Sequence, residues 1–419
     1  MAKMAEARTT ESKSKGEPKR AIALAGGGPA AGLHIGVLKY LEEKGIKFDV
    51  WALSCIGAWV GIVHNQWEDE RNRADQTYNF FRNGIFRDDI SYDRFPINTV
   101  FGADWSHNTR ALIQFLSDPA SYQNLWLPRE MAESFRNTFS LLTDHSKWTE
   151  GDFNQWMLND VLAVNPWMRF LTSMMYLSNV PGLSRIYYPE STFMKKIKFE
   201  KLKGPKKPFI YHNAWNLTKQ RLELFSNKPV DDRSYKSITS ASLCACSALP
   251  FVEGTVQIDG DTYCEGALVD TVNFMNLLED HFDKIDEIWI SRIVDSTQVR
   301  QPNDLHDALA NLCQLFAATV GEDDVKLFKY HVQEGIKIKH QGEVKKWAGT
   351  IVEIHVDPYI NFKWTHSNLD GGRERGYKAA MEAYDVYDKR PKAKVRKLGE
   401  ATVINEREKT EAEERRMRQ

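Results

Sequence analysis

The strongest constraint on this chain is the pattern of residues 20–65. "AIALAGGG" (21–28) is a short apolar strand that ends in three glycines. "AAGLHIGVLKYLEEKG" (30–45) follows, with Leu33, Val37, Leu38 and Leu41 at helical spacing and Gly45 in a stop position. "FDVWALS" (48–54) reads as a second strand and "GAWVGIVHNQW" (57–67) as a second helix. Strand–helix–strand–helix with no room for a hairpin predicts a parallel sheet with helices on its faces.

Further along, "PFIYHNAWNLTKQRLELFSN" (208–227) alternates enough for two paired strands. "SITSASLCACSALPFVEG" (237–254) predicts a small-residue helix closed by Pro250. "TVQIDGDTYCEGALVD" (255–270) predicts a hairpin turning at Asp259-Gly260. "IDEIWISRI" (285–293) and "GTIVEIHVDP" (349–358) are buried strands. The expected fold is an α/β three-layer sandwich with a mostly parallel central sheet. Residues 1–19 and 389–419 are charged and lack periodicity; both are expected to be tails, disordered or solvated, with partner docking the alternative for the second. Residues 70–205 interrupt the pattern. Their Trp-, Met- and Leu-rich pieces, broken by prolines, predict an inserted helical region, either with an ordinary core or as a cap over an apolar substrate site.

Composition excludes some classes. At 419 residues and a net charge of −1, nothing global points to nucleic acid. The five cysteines have no secreted-scaffold spacing, the first 20 residues have no apolar signal core, and there is no apolar run of about 18 residues. The expectation is a cytoplasmic protein, with contact to a membrane or lipid granule through the basic run 195–208 as an alternative to a solvated loop.

Three segments carry candidate chemistry. Gly26, Gly27 and Gly28 before a helix bare their amides to an anion. A P-loop needs Lys-Ser/Thr after the last glycine, and none is present. A dinucleotide site wants an acid at the end of the second strand, whereas Asp49 sits at its start. An oxyanion hole remains open as the third use. Cys55 stands where strand passes into helix, with Gly57 and Ala58 as small neighbours, in the manner of a nucleophile elbow. Glu265-Gly266 closes the hairpin strand about 210 residues later.

The order glycine loop, elbow, carboxylate–glycine resembles the patatin-like phospholipases. The resemblance extends to His34-Ile35-Gly36-Val37-Leu38, to "SASLCACSALPF" (240–251) and to "IDGDTYCEGALVDTVN" (258–273), and spans about residues 20–385. It implies acyl-ester hydrolysis by a nucleophile–carboxylate dyad that uses no histidine, metal or cofactor. By position, Cys55 is the nucleophile, Glu265 the proton acceptor and Gly26–Gly28 the oxyanion hole, with Gly57 and Gly266 supporting. The expected partner is a lipid or other acyl ester: phospholipid, glyceride, thioester or polyester. Cys and Glu replace the family's Ser and Asp, and Leu53 replaces the elbow's first glycine. A catalytically weak relative that binds an apolar acyl ligand is the alternative. Asp270 is the reserve base, His34 a packing residue or oxyanion helper, Cys244 and Cys246 core residues, and Cys264 a redox partner for Cys55.

Overall fold

A computed structural model of the chain describes residues 17–94, 105–123, 125–144, 149–178, 182–184, 191–230, 233–294, 297, 299–303, 305–337, 344–356, 363–389 and 395–405. The expected tail at residues 1–16, and residues 406–419 of the other, lie outside the described residues. The chain divides into two compact units: residues 102–185 with 250–254, and the remainder.

The larger unit is built on β1 (Arg20–Leu24), α1 (Ala31–Glu43), β2 (Val50–Leu53), α2 (Ile56–Asn65) and α3 (Arg73–Gly84). After these come β3 (Phe209–Asn216), β4 (Arg221–Ser226), α4 (Ser240–Ala245), β5 (Val256–Ile258), β6 (Asp261–Glu265) and β7 (Glu287–Arg292). The last elements are α5 (Leu305–Glu334), β8 (Thr350–His355), α6 (His366–Asp388), β9 (Val395–Leu398) and β10 (Ala401–Asn405).

The strands form one sheet in the order β9-β10-β8-β7-β1-β2-β3-β4, with the short Lys236–Ser237 strand beyond β4 and β5–β6 branching from β3. Neighbours from β10 to β3 are parallel; β4, β6 and β9 pair antiparallel. The central strands are apolar on both faces, as buried parallel strands are. Ile22 and Leu24 point into one core with α1, α2 and α6; Ala21, Ala23 and Ala25 point into the other with α5. These two cores about one sheet make the three layers of an α/β sandwich. The turn at Asp259-Gly260 is present, with both residues at positive φ.

Residues 389–419 are not a tail throughout. Within them β9 and β10 form a hairpin, and β10 extends the sheet parallel to β8. Ile404 enters one core and Ala401 and Val403 the other. The flanking charges mask this alternation in the sequence. Parts of 70–205 also belong to the larger unit: Phe80 and Phe81 of α3 pack on Phe193, which stacks on Trp59 at 5.5 Å. The smaller unit is helical (Trp105–Ser117, Pro128–Thr143, Glu150–Trp156, Pro166–Leu177) with a two-stranded parallel bridge between Gly182–Ser184 and Phe251–Glu253.

Candidate active site

Strand β3 is the template that brings the elbow and the carboxylate together. One edge of β3 is taken by β4 along Tyr211–Asn216. The other edge is shared: β2 pairs with its first half, Leu53 opposite His212, and β6 pairs with its second half, Glu265 opposite Ala214. The end of β2 and the end of β6 therefore meet head to head on one edge, two β3 residues apart. Gly266 continues over the β3 backbone, where a Cβ would sit 2.9 Å from Ala214 Cα.

Cys55 occupies the break between β2 and α2 with φ +47° and ψ −122°, a conformation that is costly for any residue with a Cβ. The bend is held from three sides. A Cβ on Gly57 would lie 2.2 Å from the Leu24 carbonyl oxygen, so only glycine lets α2 start this close to β1. Ser54 Oγ lies 3.0 Å from Asn213 Oδ1, and Asn273 Nδ2 donates to the Leu53 carbonyl at 2.7 Å. The Cys55 N–H donates to Cys246 Sγ at 3.1 Å. Leu53, which would crowd a sharp bend, lies over Gly61, where a Cβ would be 2.6 Å from its Cδ2.

The Cys55 thiol and the Glu265 carboxyl group are close enough to shift each other's titration, and both residues are buried, at 7% and 6% exposure. Burial pushes Glu265 up to about 7, against a smaller downward pull from the thiol. Burial, and next the Glu265 charge, push the Cys55 thiol well above its ordinary range. The resting pair is thus a neutral thiol next to a carboxyl group that titrates near neutrality.

The glycine loop reaches the same place. A Cβ on Gly26 would be 3.1 Å from both Cys55 Cβ and Ala267 Cβ, so loop, elbow and carboxylate turn converge. The expectation for Gly26 needs correction. Its N–H donates to the Thr271 carbonyl at 3.0 Å and is spent on fixing the loop. Among the described residues the N–H groups of Gly27 and Gly28 have no acceptor, and Gly28 turns the chain at φ +59°.

His34 is sealed in the core. Its Nε2 lies 2.9 Å from the Ala25 carbonyl and its Nδ1 2.9 Å from Ser291 Oγ, while burial lowers it to about 4. It is a neutral brace beneath the glycine loop. Asp270 accepts from the N–H groups of Asn273, Phe274 and Met275, which closes its own turn and shapes the loop after Glu265. Strand alternation sends the Cys264 side chain to the face opposite Glu265. Asp261 pairs with Lys219. Among the described residues no cluster of three His, Cys, Asp or Glu side chains is arranged to hold a metal ion.

A family model for patatin-like phospholipases matches residues 22–278. The chain belongs to the patatin-like phospholipase family. It is therefore a member of a family of lipid acyl hydrolases, and the matched span contains the glycine loop, Cys55 and Glu265. No curated protein sequence matches the chain. Among solved structures, VipD from Legionella pneumophila is similar at 13% identity over 88% of this chain and 67% of VipD, with a TM-score of 0.36.

For a patatin-like chain, the supports that sequence reading overlooked are Cys246, Asn213, Thr271 and Asp324. Asp324 of α5 accepts the N–H groups of Thr271 and Val272, and Thr271 in turn holds Gly26. The small-residue pattern around Cys246 predicts a core position, and nothing in its spacing marks it as an acceptor for the elbow. These roles depend on contacts between residues far apart in the chain, Thr271 with Gly26 and Cys246 with Cys55, which no local pattern encodes.

Proposed function

We propose that this patatin-like protein is an acyl hydrolase in which Cys55 is the nucleophile, Glu265 the proton carrier, and the Gly27 and Gly28 amides the oxyanion donors. The observation that carries the reading is a buried thiol at a strained elbow next to a buried carboxyl group, beside two amides without acceptors among the described residues. Sulfur attacks the acyl carbonyl as the thiol proton passes to ionised Glu265. The oxyanion then gathers at the amide pair. Thiolate leaves more readily than alkoxide, so the first intermediate reverts unless the departing oxygen is protonated. Glu265 is placed to return its proton there, leaving an acyl-cysteine. Water, losing a proton to Glu265, releases the acid, and the thiol regains that proton.

The same burial favours a second reading. A substrate carbonyl reaches Cys55 only when the shell around it opens, and a relative that holds an apolar acyl ligand without turnover needs no such opening. Intact-mass spectrometry after incubation with an activated acyl ester separates the two. The hydrolase reading expects one acyl adduct, absent in Cys55→Ala, and ester turnover that this substitution abolishes. Saturable binding with neither adduct nor turnover would establish the second.

A further inference from the structure

A groove of about 1450 Å³ opens in the larger unit at the end of the sheet opposite Cys55, where β1, β2 and β3 begin. Two of its wall groups are anomalous. Trp51 Nε1 and His64 Nδ1 are buried polar atoms with no hydrogen-bond partner among the described residues, on side chains only 3% and 6% exposed. Their rings lie 5.4 Å apart. Buried donors of this kind are expensive to leave unmade.

Two cations line the same groove. Lys207 Nζ donates to the carbonyl of Asn65, the residue after His64, at 3.1 Å. Lys228 Nζ donates to the Lys207 carbonyl. Neither lysine meets a carboxylate within ion-pair distance among the described residues, and burial lowers both. The nearby acids are already engaged: Glu70 by Lys47 and Arg73, Glu68 by Lys201, Asp280 by Arg233. Glu42, Glu43, Asp49 and Glu279 also line the groove, so its walls carry both signs of charge; the surplus of donors is confined to the indole N–H and the two ammonium groups, which donate only.

We propose that this groove binds a phosphate monoester, with the phosphate between Lys207, Lys228 and the Trp51–His64 pair. A tetrahedral dianion offers acceptors in several directions at once, which suits donors carried by β2 and by two loops, with His64 Nδ1 of α2 a further donor in one of the two neutral tautomers. The groove is far larger than a bare ion, and the aromatic faces of Phe48 and Phe209 leave room for an organic group. The site lies at the far end of the strands from the dyad and does not depend on its activity.

Calorimetric titration of the full chain with inorganic phosphate and with dihexanoyl phosphatidic acid tests it, with dihexanoyl phosphatidylcholine, a zwitterionic phosphodiester, as the control that lacks a phosphomonoester dianion. The expected result is binding of a phosphate probe and not of the control, at least ten-fold weaker in Lys207→Gln/Lys228→Gln and unchanged in Cys55→Ala. Both lysines are partly exposed, and an unaltered melting temperature verifies that the double variant is folded. Trp51→Phe, which removes the indole donor while keeping an aromatic ring in that wall, is expected to weaken binding at least three-fold, with the variant's melting temperature as its folding control. Competition by inorganic phosphate identifies a free phosphate ester as the source; binding confined to phosphatidic acid identifies a lipid headgroup. Absence of binding to both probes, equal affinity in the lysine variant, or loss of binding in Cys55→Ala overturns the proposal.

Discussion

Glu265 is the residue where stability and chemistry pull in opposite directions. In an unfolded chain a glutamate titrates near 4.3, whereas burial raises Glu265 to about 7 in the folded protein. Between these values the folded state holds a proton that the unfolded state has released. Stability is therefore greatest below the window and falls as pH rises through it. At roughly 1.4 kcal/mol per pH unit, the ionised form costs about 4 kcal/mol above neutrality. Glu265→Gln keeps the shape and removes the charge. Calorimetry is expected to show a higher melting temperature than wild type at pH 8 and little difference at pH 5. The same variant should lose roughly 10²–10⁴-fold in kcat/KM, while the wild-type profile rises through an apparent pKa near that of Glu265. That apparent value belongs to the thiol–carboxyl pair. A lower melting temperature at pH 8 would show that the carboxyl group is stabilising in its ionised form and would remove the basis for its role.

At the scale of elements, the contact that sets the glycine loop is between α1 and α6. Both helices carry glycines four apart, Gly32 and Gly36 on one, Gly372 and Gly376 on the other, and their backbones touch there. A Cβ on Gly376 would lie 1.9 Å from the Leu33 carbonyl oxygen, and one on Gly36 would lie 2.0 Å from that of Arg373. The obstacle is backbone on each side, which no rotamer change can relieve. Gly376→Ala is expected to force the helices apart at a cost of about 1–3 kcal/mol or more, read by urea denaturation. Because α1 begins directly after the glycine loop, turnover should fall in the same variant without any change at Cys55 or Glu265. A surface alanine such as Gly371→Ala, where a Cβ meets nothing within 4 Å, is the matched control. Equal denaturation midpoints for the two variants would show that this crossing is not close-packed in solution.

For the molecule as a whole, the question is how it meets a lipid. Among the described residues no helix is long and apolar enough to cross a membrane. The smaller unit instead exposes large apolar side chains. On its Pro128–Thr143 helix, Phe135, Phe139 and Leu142 are 77%, 63% and 64% exposed and recur at helical spacing. Such a stripe is more than scattered surface residues and suits partition into a lipid interface. Contact with a membrane or lipid granule is proposed on this basis rather than on the basic run 195–208. There Lys201 pairs with Glu68, Lys203 with Glu200, and Lys207 turns to the groove. Phe135→Ser/Phe139→Ser is expected to reduce co-sedimentation with neutral phosphatidylcholine vesicles several-fold and to leave the melting temperature unchanged. Undiminished pelleting would place lipid contact elsewhere.

Local pattern alone determined the strand–glycine–helix opening, the elbow at Cys55, the hairpin at Asp259-Gly260 and the three-layer class. Each rests on side-chain period or turn chemistry, which act over a few residues. It also singled out Cys55 and Glu265, because their order along the chain follows a family pattern. Tertiary structure decided what the pattern could not carry. It put the two ends of β2 and β6 on one edge of β3, spent the Gly26 amide on Thr271, and turned Cys246 towards the elbow. It also drew residues 395–405 out of an apparent tail into the sheet. In every such case the partner lies far along the chain. A hydrogen bond or a buried edge is a property of two surfaces brought together, and neither surface records the other in its own sequence.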